Sequence, residues 1–253
     1  MLEIVKVILE VLGKALNPSE ISKMQKEKKL RKLGTELFLL YTHLNEILLT
    51  GEEIIHSLEV YVSRMERHLT QGNDAYALTA GSWIDDKVVK QCISLGKFGR
   101  SVQRFTKELQ VLDADSYRKL QPLLSGKMNA LDSLLKVMGR GYLPVLGPSE
   151  SDLRMLSEQS EDTYNFTHFE KLQVIARETQ QGAISYSVDW DENIYKQIKK
   201  YLSTREPHER LEEIRNVLQQ IKTVLESNFS LQDILLEIGD RRFAEGYNGE
   251  YFW

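Results

Sequence analysis

Apolar residues recur every three or four positions along most of this chain, which is the spacing of one face of an α-helix. The clearest run steps from Leu30 to Leu48 and resumes between Ile55 and Leu69, with Gly51 between the two parts as a candidate interruption. A second run extends from Val88 to Leu112. The two runs predict two long amphipathic helices, the first of which ends near residues 71–74, where Gln-Gly-Asn-Asp signals a turn.

Shorter patterns predict the remaining elements. Helices are expected over 2–16, 120–138, 152–180, 191–203 and 207–227 and in a final segment that Ser230 can cap. The stretch GAISYSVDW, residues 182–190, instead alternates large apolar residues with small or polar ones. That period of two predicts a short extended segment near 183–190.

Each predicted helix leaves one apolar face that must be covered, so the pattern predicts an all-α fold, a multi-helix bundle of long antiparallel amphipathic helices. Residues 139–149, GRGYLPVLGPS, hold three glycines and two prolines, so no regular element is expected to cross them. We therefore predict an N-terminal bundle over 1–138 and a smaller helical region over 150–253. The alternative is that both regions share one core.

Composition places the chain among globular proteins of a reducing compartment. The single cysteine, Cys92, excludes an internal disulfide. Glu3, Lys6 and Glu10 interrupt the opening apolar segment, and the longest purely apolar run is LFLLY at residues 37–41. Neither a signal peptide nor a membrane-spanning helix is predicted, and the expected location is cytoplasmic.

Motifs that carry chemistry are scarce. Glu53 and His56 have the i, i+3 spacing of di-iron helical bundles, but the sequence has no second Glu-x-x-His. Asp85 and Asp86 form a carboxylate pair, although their place in the first turn of a predicted helix is explained by the helix dipole. Cys92 lies on an apolar stripe, where a thiol behaves as a small hydrophobic group. We predict no cofactor and no metal, and an enzyme is not favoured, although a site assembled from scattered residues stays open.

A dense group of cations follows the opening helix. It comprises Lys23, Lys26, Lys28, Lys29, Arg31 and Lys32. Only Glu27 opposes these cations, so residues 23–32 carry a net charge of +5 in a chain whose net charge is −4. The pattern predicts contact with an anionic surface, with a merely solvated helix as the alternative.

A second set of cations, Lys97, Arg100, Arg104 and Lys107, is spaced three and four residues apart along one helical face. Such a stripe suits phosphates, but the acidic balance of the whole chain argues against a nucleic-acid partner, and acidic neighbours would neutralise the stripe equally well.

The C-terminal end concentrates aromatic residues. Phe243, Tyr247, Tyr251, Phe252 and Trp253 lie within eleven positions. Either they fold back between helices or they bind a partner, for which aromatic residues are favoured anchors.

Together these features predict a non-enzymatic helical interaction or scaffold protein that acts through helix–helix contacts. The expected contact surfaces are the Leu30–Leu48 stripe and the aromatic tail, and the expected partner is another protein or, as in a coiled coil, a second copy. The alternative is a membrane-associating bundle that inserts its helix 2–16 while the basic segment 23–32 holds the lipid surface.

Overall fold

A computed structural model of the chain describes residues 2–15, 23–71, 82–112, 114, 117–118, 121–122, 174–178, 184–188, 192–204 and 206–244. The helices in this part are α1 (Leu2–Ala15), α2 (Lys23–Gln71), α3 (Ser82–Leu112), α4 (Glu192–Thr204), α5 (Pro207–Asn228) and α6 (Leu231–Ala244). Two short strands, β1 (Val174–Glu178) and β2 (Ile184–Val188), separate α3 from α4. The predicted all-α fold is confirmed.

Helix α2 runs unbroken for 49 residues. Gly51 is buried inside it and does not interrupt it, contrary to the candidate break. A glycine in a helix interior costs about 1 kcal/mol relative to alanine. The apolar stripe continues directly beyond it with Ile54, Ile55 and Leu58, each at most 1% exposed. Burying side chains of this size contributes more than the glycine costs, so the helix continues.

The starts of α5 and α6 show how local sequence sets helix boundaries. The carbonyl of Glu206 accepts hydrogen bonds from the backbone N–H groups of Glu209 and Arg210, and Pro207 occupies the first helical position. Glu206 itself has a φ of 46°, a left-handed conformation that allows the tight connection between α4 and α5. Ser230 accepts a hydrogen bond from the backbone N–H of Asp233 at 3.4 Å, so its predicted capping role is confirmed.

The two strands pair antiparallel, with Val174 opposite Val188 and Glu178 opposite Ile184. Strand β2 confirms the extended segment predicted near 183–190. The prediction of helix up to residue 180 is wrong for residues 174–178, because these residues form the ladder that satisfies the backbone of β2. The helix predicted over 120–138, the rest of the one predicted over 152–180 and the glycine-proline segment lie outside the described residues, apart from positions 121–122.

The chain divides into two compact units. Unit 1 comprises Met1–Asn45, Lys97–Lys127 and Asn216–Trp253, and unit 2 comprises Glu46–Gly96 and Met128–Arg215. In unit 2, Lys87 of α3 bonds Ser57 of α2 at 3.0 Å, whereas Ser94 of α3 bonds Glu46 at 3.2 Å, so the two helices are antiparallel. The division into regions 1–138 and 150–253 stays a prediction.

Candidate interaction surfaces

Helix α6 carries an apolar surface that is open to solvent. The exposed fractions of Leu231, Leu235 and Leu236 are 60%, 55% and 51%. Ile234 and Glu237, on the opposite side of the helix, are buried. A Cβ atom built at Gly239, one turn beyond Leu235, would meet no atom within 4 Å among the described residues outside its own stretch of helix. We call Leu231, Leu235 and Leu236 the α6 apolar face.

The predicted aromatic contact residues follow this face directly. Phe243 lies in the last turn of α6, although its side chain is not described. Tyr247, Tyr251, Phe252 and Trp253 lie outside the described residues. Their part in binding stays a prediction, while the α6 apolar face next to them was not apparent from the sequence.

The basic segment forms the start of α2. Lys23 and Lys26 lie on the helix, but their side chains are not described. Lys28 is exposed, and Arg31 and Lys32 are partly exposed. The ammonium of Lys29 donates a hydrogen bond to the carbonyl oxygen of Val111, near the end of α3, at 3.1 Å. A cation there also complements the helix dipole, so Lys29 has a structural role in holding α2 to α3.

The apolar face of α1 is docked in the folded protein. Ile4, Val5, Ile8 and Leu12 have no exposed surface. The membrane hypothesis requires these same side chains to enter lipid. Insertion would therefore require α1 to leave its packing in unit 1, at a cost of roughly 1.5–3 kcal/mol for each large apolar side chain exposed on the way.

The Leu30–Leu48 stripe is not a contact surface for a partner. Its members Leu33, Leu37, Leu40 and Leu44 have no exposed surface, and Leu48 is 6% exposed. The prediction that this stripe recognises a partner is wrong, because other parts of the same chain already cover it.

Three glutamates of α2, spaced seven residues apart, contact α4 and α5. Glu52 forms an ion pair with Arg215 of α5. Seven residues further along α2, Glu59 accepts a hydrogen bond from Nε2 of His208, seven residues earlier in α5, at 2.7 Å. Because a step of seven residues forward along α2 matches a step of seven residues backward along α5, the two helices run antiparallel at these contacts. The spacing of these glutamates is visible in the sequence, but their partners are not.

Glu66, the next glutamate in this series, is bound by α4. Its carboxylate accepts hydrogen bonds from Lys199 at 2.7 Å and from the Tyr195 hydroxyl at 3.3 Å. The hydrogen bond from Lys199, reinforced by its charge and by Tyr195, holds the pKa of Glu66 below its ordinary value although desolvation opposes this. The same contacts with Glu66 and Tyr195 raise the pKa of Lys199.

The residues weighed for catalysis or metal binding are engaged elsewhere or not described. Glu53 lies 3.8 Å from the ammonium of Lys87, and His56 is exposed. The side chains of Asp85, Asp86 and Cys92 are not described. Within the described ranges, no three histidine, cysteine, aspartate or glutamate side chains come together as metal ligands would.

Gln91 of α3 is an unusual buried side chain. It is 1% exposed, and within the described part of the chain neither polar atom of its amide has a hydrogen-bond partner. An unsatisfied buried amide costs about 1–3 kcal/mol.

Comparison of the chain with known protein families, with curated proteins and with solved structures finds no match. Among the described residues, no helix combines the length and the apolar character that crossing a bilayer requires.

Proposed function

We propose that this protein is a non-enzymatic helical interaction protein that binds an apolar helix of a protein partner through the C-terminal end of its fold. The binding surface is the α6 apolar face together with the aromatic residues that follow it. The single observation that carries the proposal is the exposure of three leucines on one short helix, because burying their area on binding is favourable.

The character of the surface supports a helical partner. Among the described residues, nothing lies within 4 Å of a Cβ built at Gly239, one turn beyond Leu235, which leaves room there for the backbone of a second helix. Exposed leucines beside a small residue suit contact with the apolar stripe of an amphipathic helix. In this proposal the aromatic residues that follow α6 in sequence supply further anchors for the partner.

The test is a quantitative pull-down with full-length protein and three variants. Leu235→Asp/Leu236→Asp places two charges on the α6 apolar face, and a truncation removes residues 245–253. Leu49→Asp is the matched control, because Leu49 is also 51% exposed but lies on α2. Circular dichroism checks that every variant keeps its helix content.

The proposal predicts a partner that the wild type and Leu49→Asp retain, and that the α6 double variant loses at least tenfold. A weaker loss is expected for the truncation. Partners that bind the α6 double variant as well as the wild type would overturn the proposal, since binding would then occur elsewhere.

A further inference from the structure

The structure brings together two basic stretches that are 65 or more residues apart in sequence. Lys29, near the start of α2, contacts Val111, near the end of α3, and both stretches belong to unit 1. The cations of this region whose side chains are described, other than Lys29 and Lys97, are Lys28, Arg31 and Lys32 of α2 and Arg100, Arg104 and Lys107 of α3. We call these six residues the basic face.

The cations of the basic face have no acidic partner among the described residues. In the part of the chain that the structure describes, none of the six side chains forms an ion pair or a hydrogen bond. In unit 2, by contrast, Lys87, Lys199 and Arg215 each contact a glutamate. Neutralisation of the α3 stripe by acidic neighbours stays an open alternative, because Lys97 of that stripe has a partner and only the described residues are considered for Arg100, Arg104 and Lys107.

The charge is also concentrated and accessible. Lys28, Arg100 and Lys107 are exposed, and the other three members are partly exposed. Residues 23–32 carry a net charge of +5, and residues 97–112 carry +3 with Glu108 included, in a chain of −4. The positive charges are concentrated in these two stretches, whereas the rest of the chain is acidic. They therefore produce a local positive potential that attracts anions over about one Debye length, roughly 8–10 Å.

We propose that the basic face docks this protein onto an anionic phospholipid surface, with α1 remaining packed in the fold. This goes beyond the proposed function and depends on different residues. It also differs from the predicted insertion of helix 2–16, because the contact consists of cations lying on headgroups and needs no buried apolar side chain to leave the core.

Two features of α3 favour a lipid surface over a nucleic acid. The aromatic residues between its cations, Phe98 and Phe105, have no exposed surface, so they cannot stack on bases. Val111 is 58% exposed at the end of the same face, and an apolar side chain beside cations suits the headgroup boundary of a bilayer.

The test is flotation of full-length protein with phosphatidylcholine vesicles, prepared with and without phosphatidylserine, at increasing salt. The face variant is Arg100→Glu/Arg104→Glu/Lys107→Glu. The control variant, Arg64→Glu/Lys90→Glu/Lys200→Glu, makes the same change in net charge at three cations outside the basic face, all exposed. If the face variant loses helix content, Arg100→Gln/Lys107→Gln replaces it, because both residues are exposed.

We expect wild-type protein to float only with vesicles that contain phosphatidylserine, and salt to weaken this binding. Each lost cation is expected to lower the partition coefficient about fivefold, so the face variant should lose binding while the control variant loses much less. Equal flotation with both vesicle types, no flotation, or an equal loss in both variants would overturn the proposal.

A second experiment measures fluorescence anisotropy with labelled DNA and RNA oligonucleotides. Tight, salt-dependent binding of an oligonucleotide without vesicle binding would assign the basic face to a nucleic acid instead.

None of these outcomes bears on the α6 apolar face, which is tested by protein capture. Failure of the lipid proposal and failure of the interaction proposal are therefore distinguishable.

Discussion

The packing of unit 1 depends on Gly34 having no side chain. A Cβ atom built at this position of α2 would lie 2.5 Å from Cδ1 and 2.9 Å from Cγ of Phe229. Contacts below 3 Å are too short, so any larger residue would force the ring of Phe229 to move. The glycine thus allows the segment between α5 and α6 to lie directly against α2.

This contact predicts that the effect of Gly34→Ala depends on Phe229. In an otherwise wild-type chain, the steric conflict, about 1–3 kcal/mol, should outweigh the roughly 1 kcal/mol that alanine adds to helix stability. In a Phe229→Ala background the conflict is absent, and Gly34→Ala should stabilise the protein by about 1 kcal/mol. Urea unfolding of the four proteins in the double-mutant cycle measures both values. If Gly34→Ala changes stability equally in both backgrounds, the ring of Phe229 does not restrict which residue fits at position 34.

At the scale of elements, charged pairs between helices fix register more than they add stability. The side chains of Glu52 and Arg215 are 35% and 49% exposed. Exposed pairs of this kind contribute about 0.2–1 kcal/mol. Their heptad spacing still matters, because a slip of α5 along α2 would separate the Arg215 and His208 contacts together.

The pairing of α2 with α4 has a predicted dependence on pH. The pKa of Glu66 is lowered in the folded state, so its stabilising contribution is present above its unfolded pKa and is lost as pH falls through the folded value. The pKa of Lys199 is raised, so its contribution is present below its unfolded pKa and is lost as pH rises through the folded value. Both contributions are therefore complete in the range between these two titrations.

We expect Glu66→Gln to lower stability near neutral pH, and the difference from wild type to shrink as pH falls below the ordinary range of a glutamate. Urea unfolding across a pH series measures this difference. Glu226→Gln is the control, since Glu226 lies 3.8 Å from Lys222 within a single helix and should show a smaller change. If the stability difference between wild type and Glu66→Gln stays constant with pH, the pKa of Glu66 is not lowered in the folded state, and the prediction is wrong.

At the scale of the whole molecule, α1 decides between two views of the protein. A free α1 would be available for insertion into a membrane, whereas a docked α1 is part of the core. Four of its side chains, Ile4, Val5, Ile8 and Leu12, have no exposed surface, which places α1 in the core of unit 1.

Two adjacent apolar residues of α1 test this. Ile8 is fully buried, whereas Leu9 is partly exposed. Changing either to alanine removes the same number of carbon atoms. Ile8→Ala is expected to reduce the free energy of unfolding by about 2–5 kcal/mol, and Leu9→Ala by clearly less, because only the first leaves a closed cavity. Chemical denaturation measures both. Equal small effects would mean that α1 is not docked in solution.

Much of the secondary structure could be predicted because its causes are local. The spacing of Leu30 to Leu48 predicted α2, and Ser230 predicted the start of α6. The strand at Val174–Glu178 could not be predicted in the same way, because its formation depends on pairing with a second strand, β2, rather than on its own sequence. Of the contact surfaces, the sequence showed the cations but not the α6 apolar face, whose leucines resemble the buried leucines of other helices.

By itself, the sequence determined that this protein is built from amphipathic helices, where several of them begin, and which residues carry charge. Periodicity and capping act over a few residues, so they can be read along the chain. The tertiary structure alone decided which apolar faces are covered and which charges are paired, since burial and ion pairing depend on neighbours that are distant in sequence. For that reason the stripe from Leu33 to Leu48 is core and the leucines of α6 are exposed. Cations of α2 and α3 that are distant in sequence lie in one unit, where Lys29 contacts Val111, and six of them are unpaired within the described residues.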